Sequence, residues 1–239
     1  MTASLNVRTD GGTWIITLDR PDKLNALDAP TVDGLLAEVE KANAANARLL
    51  VFRGSGKSFC AGFDLSNLEA QSEGDLLLRF VRIEMLLQAI ATSPARTLAL
   101  AHGKVFGAGV DLVSVCRYRV ATSDTVFRMP GLKFGLVLGT RRFADIVGHE
   151  TAGRLLEESS SFGVERACAM NFVHELADTS TWDRVIAAAA RTVSVLDDTA
   201  RRDLYQAIST LQPAADLAAL VRSAARPGLK ERLLRYAER

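Results

Sequence analysis

The sequence lacks the residue patterns that support crosslinks, zinc sites or membrane spans. Its three cysteines, Cys60, Cys116 and Cys168, form no Cys-x-x-Cys unit with histidine partners, which argues against zinc, and their odd number suits a reducing compartment. No apolar run reaches the ~18 residues that span a bilayer. Residues 1–4 are followed by polar residues rather than by the apolar segment of a signal peptide. We therefore expect a cytoplasmic protein with no metal site and no contact with a membrane.

Strong charge of one sign is also missing. The chain has 29 Lys and Arg against 28 Asp and Glu, a formal net charge of +1, and positive charge rises only at residues 141–142 and from residue 222 onward. With this balance of charges, the sequence shows no positively charged segment of the kind that binds nucleic acid. A hydrophobic content of 48% in 239 residues is typical of a globular chain with one large domain or two small ones.

Short apolar segments alternate with amphipathic ones through the first half of the chain. Strands are predicted at residues 13–18, 48–53, 97–101, 118–122, 125–130 and 172–176. A helix is predicted after Asp28, which can cap it, with Pro30 in the first turn. Further helices are predicted at residues 75–91, 140–148, through 155–156, 164–170, 181–195, 199–211 and 216–239, and the last of these has a break at 227–228. This order predicts an α/β core followed by a helical end region.

Residues 102–111 are the stretch around which the chain is organised. Gly107, Ala108 and Gly109 are small enough to let another body approach the backbone, and a helix is predicted to begin near Ala108. The N-terminus of a helix presents unpaired N–H groups and partial positive charge, which suit an oxygen that gains negative charge. Asp111 lies about one turn inside this helix. The alternative is a tight packing turn whose aspartate only interacts with its own helix N-terminus.

A second glycine-containing stretch covers residues 54–65. Its Gly-Lys-Ser comes after too short a spacing for a phosphate-binding loop. Ala61 and Gly62 bring the backbone close to another group, and Asp64 is placed to cap a turn.

Three motifs together resemble the crotonase family (enoyl-CoA hydratase/isomerase): RPDKLNAL at residues 20–27, KSFCAGFDL at 57–65 and GKVFGAGVD at 103–111. The likeness runs from about residue 5 to the end. It implies an α/β fold, a crotonase-like spiral of repeated ββα units in residues 1–180, with a helical C-terminal trimerisation region in residues 181–239. It also implies an acyl-CoA thioester substrate, with coenzyme A as part of the substrate and no separate cofactor, and a homotrimer or hexamer.

The resemblance also assigns roles to residues. The backbone N–H groups of Phe63 and Ala108 match the two donors that hold the enolate oxygen of a reacting thioester, and such donors contribute roughly 3–4 kcal/mol each. Asp111 matches the first catalytic carboxylate. The positions that match coenzyme A contacts, or lie beside them, are Lys23, Leu24, Ala61, Gly62, Asp64 and Leu65. Lys23 is either a phosphate ligand or a solvated loop lysine.

Two departures from the family pattern bear on the chemistry. Asp111 stands where typical hydratases have the longer glutamate, and Gly131 stands where a hydratase has its second carboxylate. Hydration commonly needs two carboxylates, whereas moving a double bond needs one base that takes and returns a proton. We therefore expect isomerase-like chemistry with a single carboxylate. The alternatives are hydration, thioester hydrolysis, decarboxylation, or binding of acyl-CoA without catalysis.

Other residues are weaker candidates. Cys60 and Cys116 are expected to pack rather than to act as nucleophiles, and His102 to be a satisfied histidine at a strand end. Arg141 and Arg142 are expected either to anchor a phosphate or to be solvated at a helix start. Glu84 and Asp145 could supply a second acid, but Glu84 is expected on an exposed helix face.

Overall fold

The computed structural model describes residues 4–238. The strands are β1 (Leu5–Asp10), β2 (Thr13–Leu18), β3 (Leu49–Gly54), β4 (Arg96–Ala101), β5 (Lys104–Phe106), β6 (Tyr118–Ala121), β7 (Val126–Arg128), β8 (Phe162–Gly163) and β9 (Glu175–Leu176). The helices are α1 (Ala29–Ala44), α2 (Glu73–Ala91), α3 (Ala108–Ser114), α4 (Thr140–Val147), α5 (His149–Glu158), α6 (Val164–Ala169), α7 (Trp182–Val193), α8 (Asp198–Ala207), α9 (Pro213–Ala224) and α10 (Leu229–Ala237). Residues 1–3 and residue 239 lie outside this range. The expectation of no signal peptide depends partly on residues 1–3, and residue 239 is the end of the predicted last helix.

Two sheets share the strands of successive ββα units. The larger sheet has the order β1-β2-β3-β4-β6-β9, parallel except for the β1–β2 pair, and the smaller has the order β5-β7-β8. In the units β4-β5-α3 and β6-β7-α4, the first strand joins the larger sheet and the second joins the smaller one. This arrangement confirms the predicted α/β spiral of ββα units.

The larger sheet is covered on both faces, as the continuous apolar sequence of β3 predicts. Leu50 and Phe52 point into the main core, which also contains the buried faces of α1 and α2. Leu49 and Val51 point to the opposite face, where α7 covers them with Trp182, Val185, Ile186 and Ala189. The alternating side chains of one strand therefore stabilise two cores.

Local sequence signals fix the ends of the first two long helices. The Asp28 carboxylate accepts a hydrogen bond from the Thr31 N–H at 2.9 Å, as the capping prediction requires. At the start of α2, Ser72 and Asp75 form a reciprocal capping box.

Short edge elements are where the structure differs from the sequence prediction. Strand β1 was not predicted because it is an edge strand whose side chains are mostly exposed, so it has no strong apolar pattern. The three-residue β5 lies inside the stretch that was interpreted as a turn. The strand predicted at residues 172–176 is limited to Glu175–Leu176.

The end region after residue 181 is helical, and its helices pack on both cores. Helix α7 covers one face of the larger sheet, while α9 and α10 contribute Leu220, Ala224, Leu229 and Leu233 to the main core. The division at residue 180 and the role of residues 181–239 in trimerisation stay predictions. Within residues 4–238, no helix combines the length and the apolar character needed to cross a bilayer.

The loop before α1 is held by the buried amide of Asn25. Its Oδ1 accepts from the Arg20 N–H at 2.8 Å, and its Nδ2 donates to the carbonyls of Ser55 and Ser58 at 2.9 and 2.8 Å. The side chain is 1% exposed, so no solvent replaces these bonds. Asn25 thereby ties residues 20–27 to the glycine-containing stretch at 54–65.

Asn25→Ala is expected to lower the free energy of unfolding by about 2–4 kcal/mol, because three backbone groups, one buried and two partly buried, lose their partner. Asn25 has a positive φ of 56°, which alanine tolerates poorly. Asn46→Ala is the matched control, since Asn46 has φ 54° but is exposed and makes no side-chain hydrogen bond among the described residues. Chemical denaturation of both variants checks the difference, and equal losses would contradict the role of the Asn25 amide.

Candidate active site

Two backbone segments run side by side at the centre of the site. The Phe106 N–H donates to the Cys60 carbonyl at 2.9 Å, and the Cys60 N–H donates to the Lys104 carbonyl at 3.4 Å. These bonds form a parallel bridge between Cys60 and Val105. Three residues beyond the bridge on each segment lie Phe63 and Ala108. The pairing therefore brings together the two amides that the sequence predicts to act on one oxygen.

Gly62 permits the close approach of these segments. A methyl group built on Gly62 would lie 2.5 Å from the Phe106 carbonyl oxygen and 3.3 Å from the Ala108 nitrogen, and the residue has φ +88°. A side chain there would push the segments apart. Within residues 4–238, neither the Phe63 N–H nor the Ala108 N–H donates a hydrogen bond, and both residues line the same cavity. Two residues whose N–H groups have no acceptor within residues 4–238 thus line one pocket, and their role as an oxyanion hole stays a prediction.

Side-chain contacts hold Phe63 in place. Its ring stacks on the Phe80 ring, with the ring centroids 4.3 Å apart. The Cζ atom of the Arg79 guanidinium lies 3.9 Å from the centre of the Phe63 ring. Arg79 also donates to the Asp64 carbonyl at 2.8 Å. The loop that carries the Phe63 amide is therefore fixed from α2.

The cavity has a volume of about 120 Å³ and is mostly apolar. The residues that line it are Ala61, Phe63, Leu65, Phe80, Phe106, Gly107, Ala108, Asp111, Met129, Pro130, Gly131, Leu132, Phe134, Leu136, Leu138, Thr140, Leu156 and Tyr236. Asp111 is the one carboxylate in this described lining. Gly131, the position of the absent second carboxylate, contributes only backbone.

Asp111 lies at the end of the first turn of α3 and is 2% exposed. Its Oδ1 is buried without a hydrogen-bond partner among the described residues. Gly139, just before α4, packs directly against this oxygen, and a methyl group built there would overlap it. Burial raises the pKa of Asp111 well above its ordinary value; the charge of Arg142 acts to lower this pKa and that of Glu84 to raise it.

The expectation for Glu84 was wrong. Glu84 is 1% exposed rather than on a solvated face, because α4 and α9 cover that side of α2. The two terminal nitrogens of Arg142 donate to its carboxylate at 2.9 and 2.5 Å, and the Gln88 amide donates to it at 2.8 Å. It does not line the cavity, so it is not available there as a second acid.

The expectation of a solvated helix start was wrong for Arg142. Arg142 is buried and bonds Glu84 and Asp216, whereas Arg141 is partly exposed and bonds Asp216 at 2.8 and 2.6 Å and Asp145 at 2.7 Å. Both side chains have carboxylate partners, and the anchoring of a phosphate by this pair stays a prediction. Asp216 lies in α9, and no sequence signal indicated that it would meet residues 141–142.

The residues predicted to contact coenzyme A lie together beside the cavity. Leu24 accepts a hydrogen bond through its carbonyl from the Ala61 N–H at 2.9 Å, which joins the two motifs. Lys23 is exposed, and Ala61 and Leu65 line the cavity. Binding of coenzyme A by this group stays a prediction.

Asp64 is tied into the loop. Its carboxylate accepts from the Ser66 N–H at 2.9 Å and from Arg20 at 3.0 Å. Although burial acts to raise the pKa of Asp64, hydrogen bonds from Ser66 and Arg20 lower this pKa below its ordinary value. The residue therefore fixes the turn that follows Phe63, in agreement with its predicted capping.

The remaining weak candidates are packed away from the cavity. Cys60 and Cys116 are buried, and burial raises the pKa of each thiol to about 12, so neither is a ready nucleophile. His102 is bonded to the Gly56 carbonyl at 3.0 Å and lies edge-on to Trp182.

Tyr236 is among the cavity residues that sequence reasoning missed. Tyr236 of α10 reaches the cavity and packs against Phe134 with ring centroids 5.0 Å apart. It lies far along the chain from the motifs, and no local pattern distinguishes it from other helical residues.

Comparison with known proteins identifies the family of this chain. The family model for enoyl-CoA hydratase/isomerase matches residues 8–227. The chain belongs to the enoyl-CoA hydratase/isomerase family. A "Probable enoyl-CoA hydratase echA6" of Mycobacterium tuberculosis is 34% identical over 182 residues, 73% of this chain and 72% of that protein. An "Enoyl-CoA isomerase/hydratase fer4" of Mycosarcoma maydis is 27% identical over 184 residues, 71% of this chain and 67% of that protein.

Solved structures of this family have the same fold. A Bordetella parapertussis protein with the enoyl-CoA hydratase/isomerase designation is 49% identical, and the alignment covers 100% of both chains with a TM-score of 0.98. An enoyl-CoA hydratase of Bacillus halodurans is 22% identical over 97% of this chain and 99% of that chain, with a TM-score of 0.85, and supports the fold alone. In residues 4–238, no group of three or more His, Cys, Asp and Glu side chains is arranged to hold a metal.

Asp111→Asn is expected to stabilise this family member at neutral pH. A folded-state pKa raised above the unfolded value contributes stability that is complete below about pH 4 and is lost as the pH rises through the folded-state pKa. Asparagine removes the buried charge. The free energy of unfolding at neutral pH should therefore rise by about 1.4 kcal/mol for each unit by which folding raises the Asp111 pKa, and this gain should vanish in acid. Urea unfolding across pH checks this, with the exposed Asp22→Asn as control. A destabilised Asp111→Asn at neutral pH would contradict it.

Proposed function

We propose that this chain is an enzyme that acts on acyl-CoA thioesters through an enolate, with Asp111 as its lone carboxylate and double-bond migration as its preferred reaction. One observation carries the proposal. Phe63 and Ala108, whose N–H groups make no hydrogen bond among the described residues, line the same apolar cavity as the buried Asp111. The family, whose members process acyl-CoA, supports the substrate class.

The two amides suit the oxygen of a thioester carbonyl. When a proton leaves the carbon beside that carbonyl, negative charge collects mainly on the oxygen. Fixed backbone donors in an apolar cavity stabilise this charge with little reorganisation, and removing one donor of this kind typically costs roughly 3–4 kcal/mol in the barrier. Gly62 serves this arrangement by permitting the approach, since the donors belong to the main chain.

Asp111 is suited to take a proton and to return it. In double-bond migration, the base removes a proton from the carbon between the thioester carbonyl and the double bond. The electron pair spreads over the dienolate, and the same proton returns to the far carbon of the former double bond, so atoms and charge balance. Burial raises the pKa of Asp111 above its ordinary value, which makes its ionised form a stronger base than an exposed aspartate.

Hydration is less well supported, because the cavity offers one carboxylate. Gly131 has no side chain to hold or activate a water, and the Glu84 carboxylate is occupied by Arg142 and Gln88. Hydrolysis, decarboxylation and silent binding of acyl-CoA remain the other candidates. A mouse relative designated "Ethylmalonyl-CoA decarboxylase" is 28% identical over 182 residues, 73% of this chain and 56% of that protein.

Coenzyme A is proposed to bind beside the cavity at the joined motifs. Lys23 is exposed and makes no ion pair among the described residues, so its ammonium is free to reach a phosphate. Leu24, Ala61, Gly62 and Leu65 supply backbone and apolar contacts next to the two amides, and Asp64 holds the turn.

The purified protein is expected to convert 3-enoyl-CoA to 2-enoyl-CoA faster than it hydrates 2-enoyl-CoA. Asp111→Asn should abolish both activities and leave coenzyme A binding intact, because the amide cannot accept the proton. Chromatography of the thioester products and calorimetric binding measure the two properties. Faster hydration would overturn the isomerase preference, and unchanged turnover in Asp111→Asn would remove this residue from the mechanism. Binding without turnover of either substrate would favour the silent binder.

Gly62→Ala tests the two amides within the same assay. The added methyl group should separate the segments of Phe63 and Ala108 and lower kcat by roughly 100-fold or more, on the scale of losing one oxyanion donor. Gly148→Ala is the matched control, since Gly148 also has positive φ, +85°, but has open space around it. Equal losses in both variants would assign the effect to backbone strain.

Assembly into a homotrimer or hexamer is also proposed. Large apolar side chains are exposed within residues 195–208 of the C-terminal region: Val195 at 79%, Leu196 at 39%, Leu204 at 43% and Ile208 at 67%. These four side chains are termed the apolar surface. Surfaces of this kind are typical of association sites. Burial between copies of this chain would remove them from water.

Ile208→Arg is expected to lower the mass of the assembly, because it places a charge in this apolar surface. Light scattering coupled to size exclusion measures the mass. Leu78→Arg is the control, as Leu78 is 58% exposed on α2, outside the apolar surface. A wild-type monomer would contradict the proposed assembly.

A further inference from the structure

Arg142 belongs to a buried ionic network with Glu84 and Asp216, on a helix that begins beside the cavity carboxylate Asp111. It lies in the first turn of α4, and this helix begins directly after Gly139. Gly139 packs against the Asp111 Oδ1. The terminal nitrogens of Arg142 bond Glu84 and Asp216, whereas its Nε is buried without a partner among the described residues. The Asp111 Oδ1 is likewise without a partner, and the charges of Arg142 and Asp111 attract each other.

A purely structural pair explains this arrangement poorly. Buried ion pairs can often be replaced by apolar side chains of similar size with little loss of stability. Here the guanidinium is 6% exposed and held at fixed positions by carboxylates from two other helices, α2 and α9. The clamp therefore fixes a positive charge behind the lone carboxylate of the cavity, where no second acid is present.

We propose that Arg142, clamped by Glu84 and Asp216, is a positioning residue that sets how readily Asp111 releases and accepts its proton. The proposal rests on the function proposed above for Asp111. Arg142 stabilises the carboxylate form from behind the cavity, and Glu84 limits that effect by neutralising part of its charge. The three residues thus regulate the base without touching the substrate.

The groups that face Asp111 are few. Arg142 comes from α4 and Glu84 from α2, and the Cys60 thiol, which is neutral, comes from the neighbouring loop. On the two strands that pack against α3, Lys104 of β5 is exposed and Arg96 of β4 lies over the Tyr118 ring, and neither acts on Asp111. Changing Arg142 or Glu84 therefore changes the charge that Asp111 experiences.

The two substitutions have opposite expected signs. Glu84→Gln removes a negative charge and leaves Arg142 less compensated, so the titration midpoint of Asp111 should fall. Arg142→Met removes the positive charge, so the midpoint should rise. Shifts of about 1 pH unit are expected in each direction, on the scale of one nearby charge. Arg141→Met is the matched control, because Arg141 also bonds Asp216 but does not act on Asp111.

The test is a titration of the full-length protein with 13C-labelled aspartate, followed by NMR. Asp111→Asn identifies the Asp111 signal, and the titration needs no turnover. Where acyl-CoA is turned over, the pH profile of kcat/KM should move in the same directions. A failed proposed function would leave the profile unmeasurable and the NMR shifts intact, so the two failures are distinguishable.

Opposite midpoint shifts in Glu84→Gln and Arg142→Met, with Arg141→Met unchanged, would support the proposal. Unmoved midpoints, or shifts of the same sign in both variants, would overturn it. If Arg142→Met does not fold, Arg142→Lys keeps the charge but not the fork of donors. Arg142→Lys should then leave the titration midpoint of Asp111 close to that of wild type. It should also lower kcat, because the lysine ammonium does not take the position of the guanidinium. Together with the Glu84→Gln result, this outcome decides the question.

Discussion

The close approach of two backbone segments, 60–63 and 105–108, is the constraint on which the rest of the site depends. The approach is possible because Gly62 has no side chain to meet the Phe106 carbonyl. It brings Phe63 and Ala108 to the lining of one cavity, and neither N–H has a hydrogen-bond acceptor among the described residues. Buried donors without partners are costly in a folded protein. Their presence at a cavity is understandable if an acceptor on a ligand completes them.

The charged side chains around these amides are of two kinds: those paired with each other and Asp111, which has no ion-pair partner among the described residues. Arg142, Glu84, Asp216 and Arg141 satisfy one another behind the cavity. Asp111 alone faces the apolar pocket, where desolvation disfavours its ionised form. The Asp111 Oδ1 has no hydrogen-bond partner among the described residues. Gly139 keeps Asp111 there by filling the space beside this oxygen with backbone.

Prediction from the sequence was strongest where one local pattern dominates. Residues 49–52 are all apolar and form a strand buried on both faces, and Asp28 caps the helix that it was expected to cap. It was weakest at edges and at charged residues near apolar faces. Glu84 follows Ile83 on an amphipathic helix, and periodicity cannot show that α4 and α9 will cover it.

The sequence by itself determined the order of strands and helices, because apolar periodicity and helix caps are local properties of the chain. The family and its spiral of ββα units were indicated by the resemblance of three motifs, at residues 20–27, 57–65 and 103–111, to a known family. Only the tertiary structure decided how distant residues meet: Asn25 with Ser58, Arg142 with Glu84 and Asp216, and Tyr236 with the cavity. Hydrogen bonds and ion pairs between residues far apart in the chain depend on packing in three dimensions. No local pattern encodes which partner a buried charge will find.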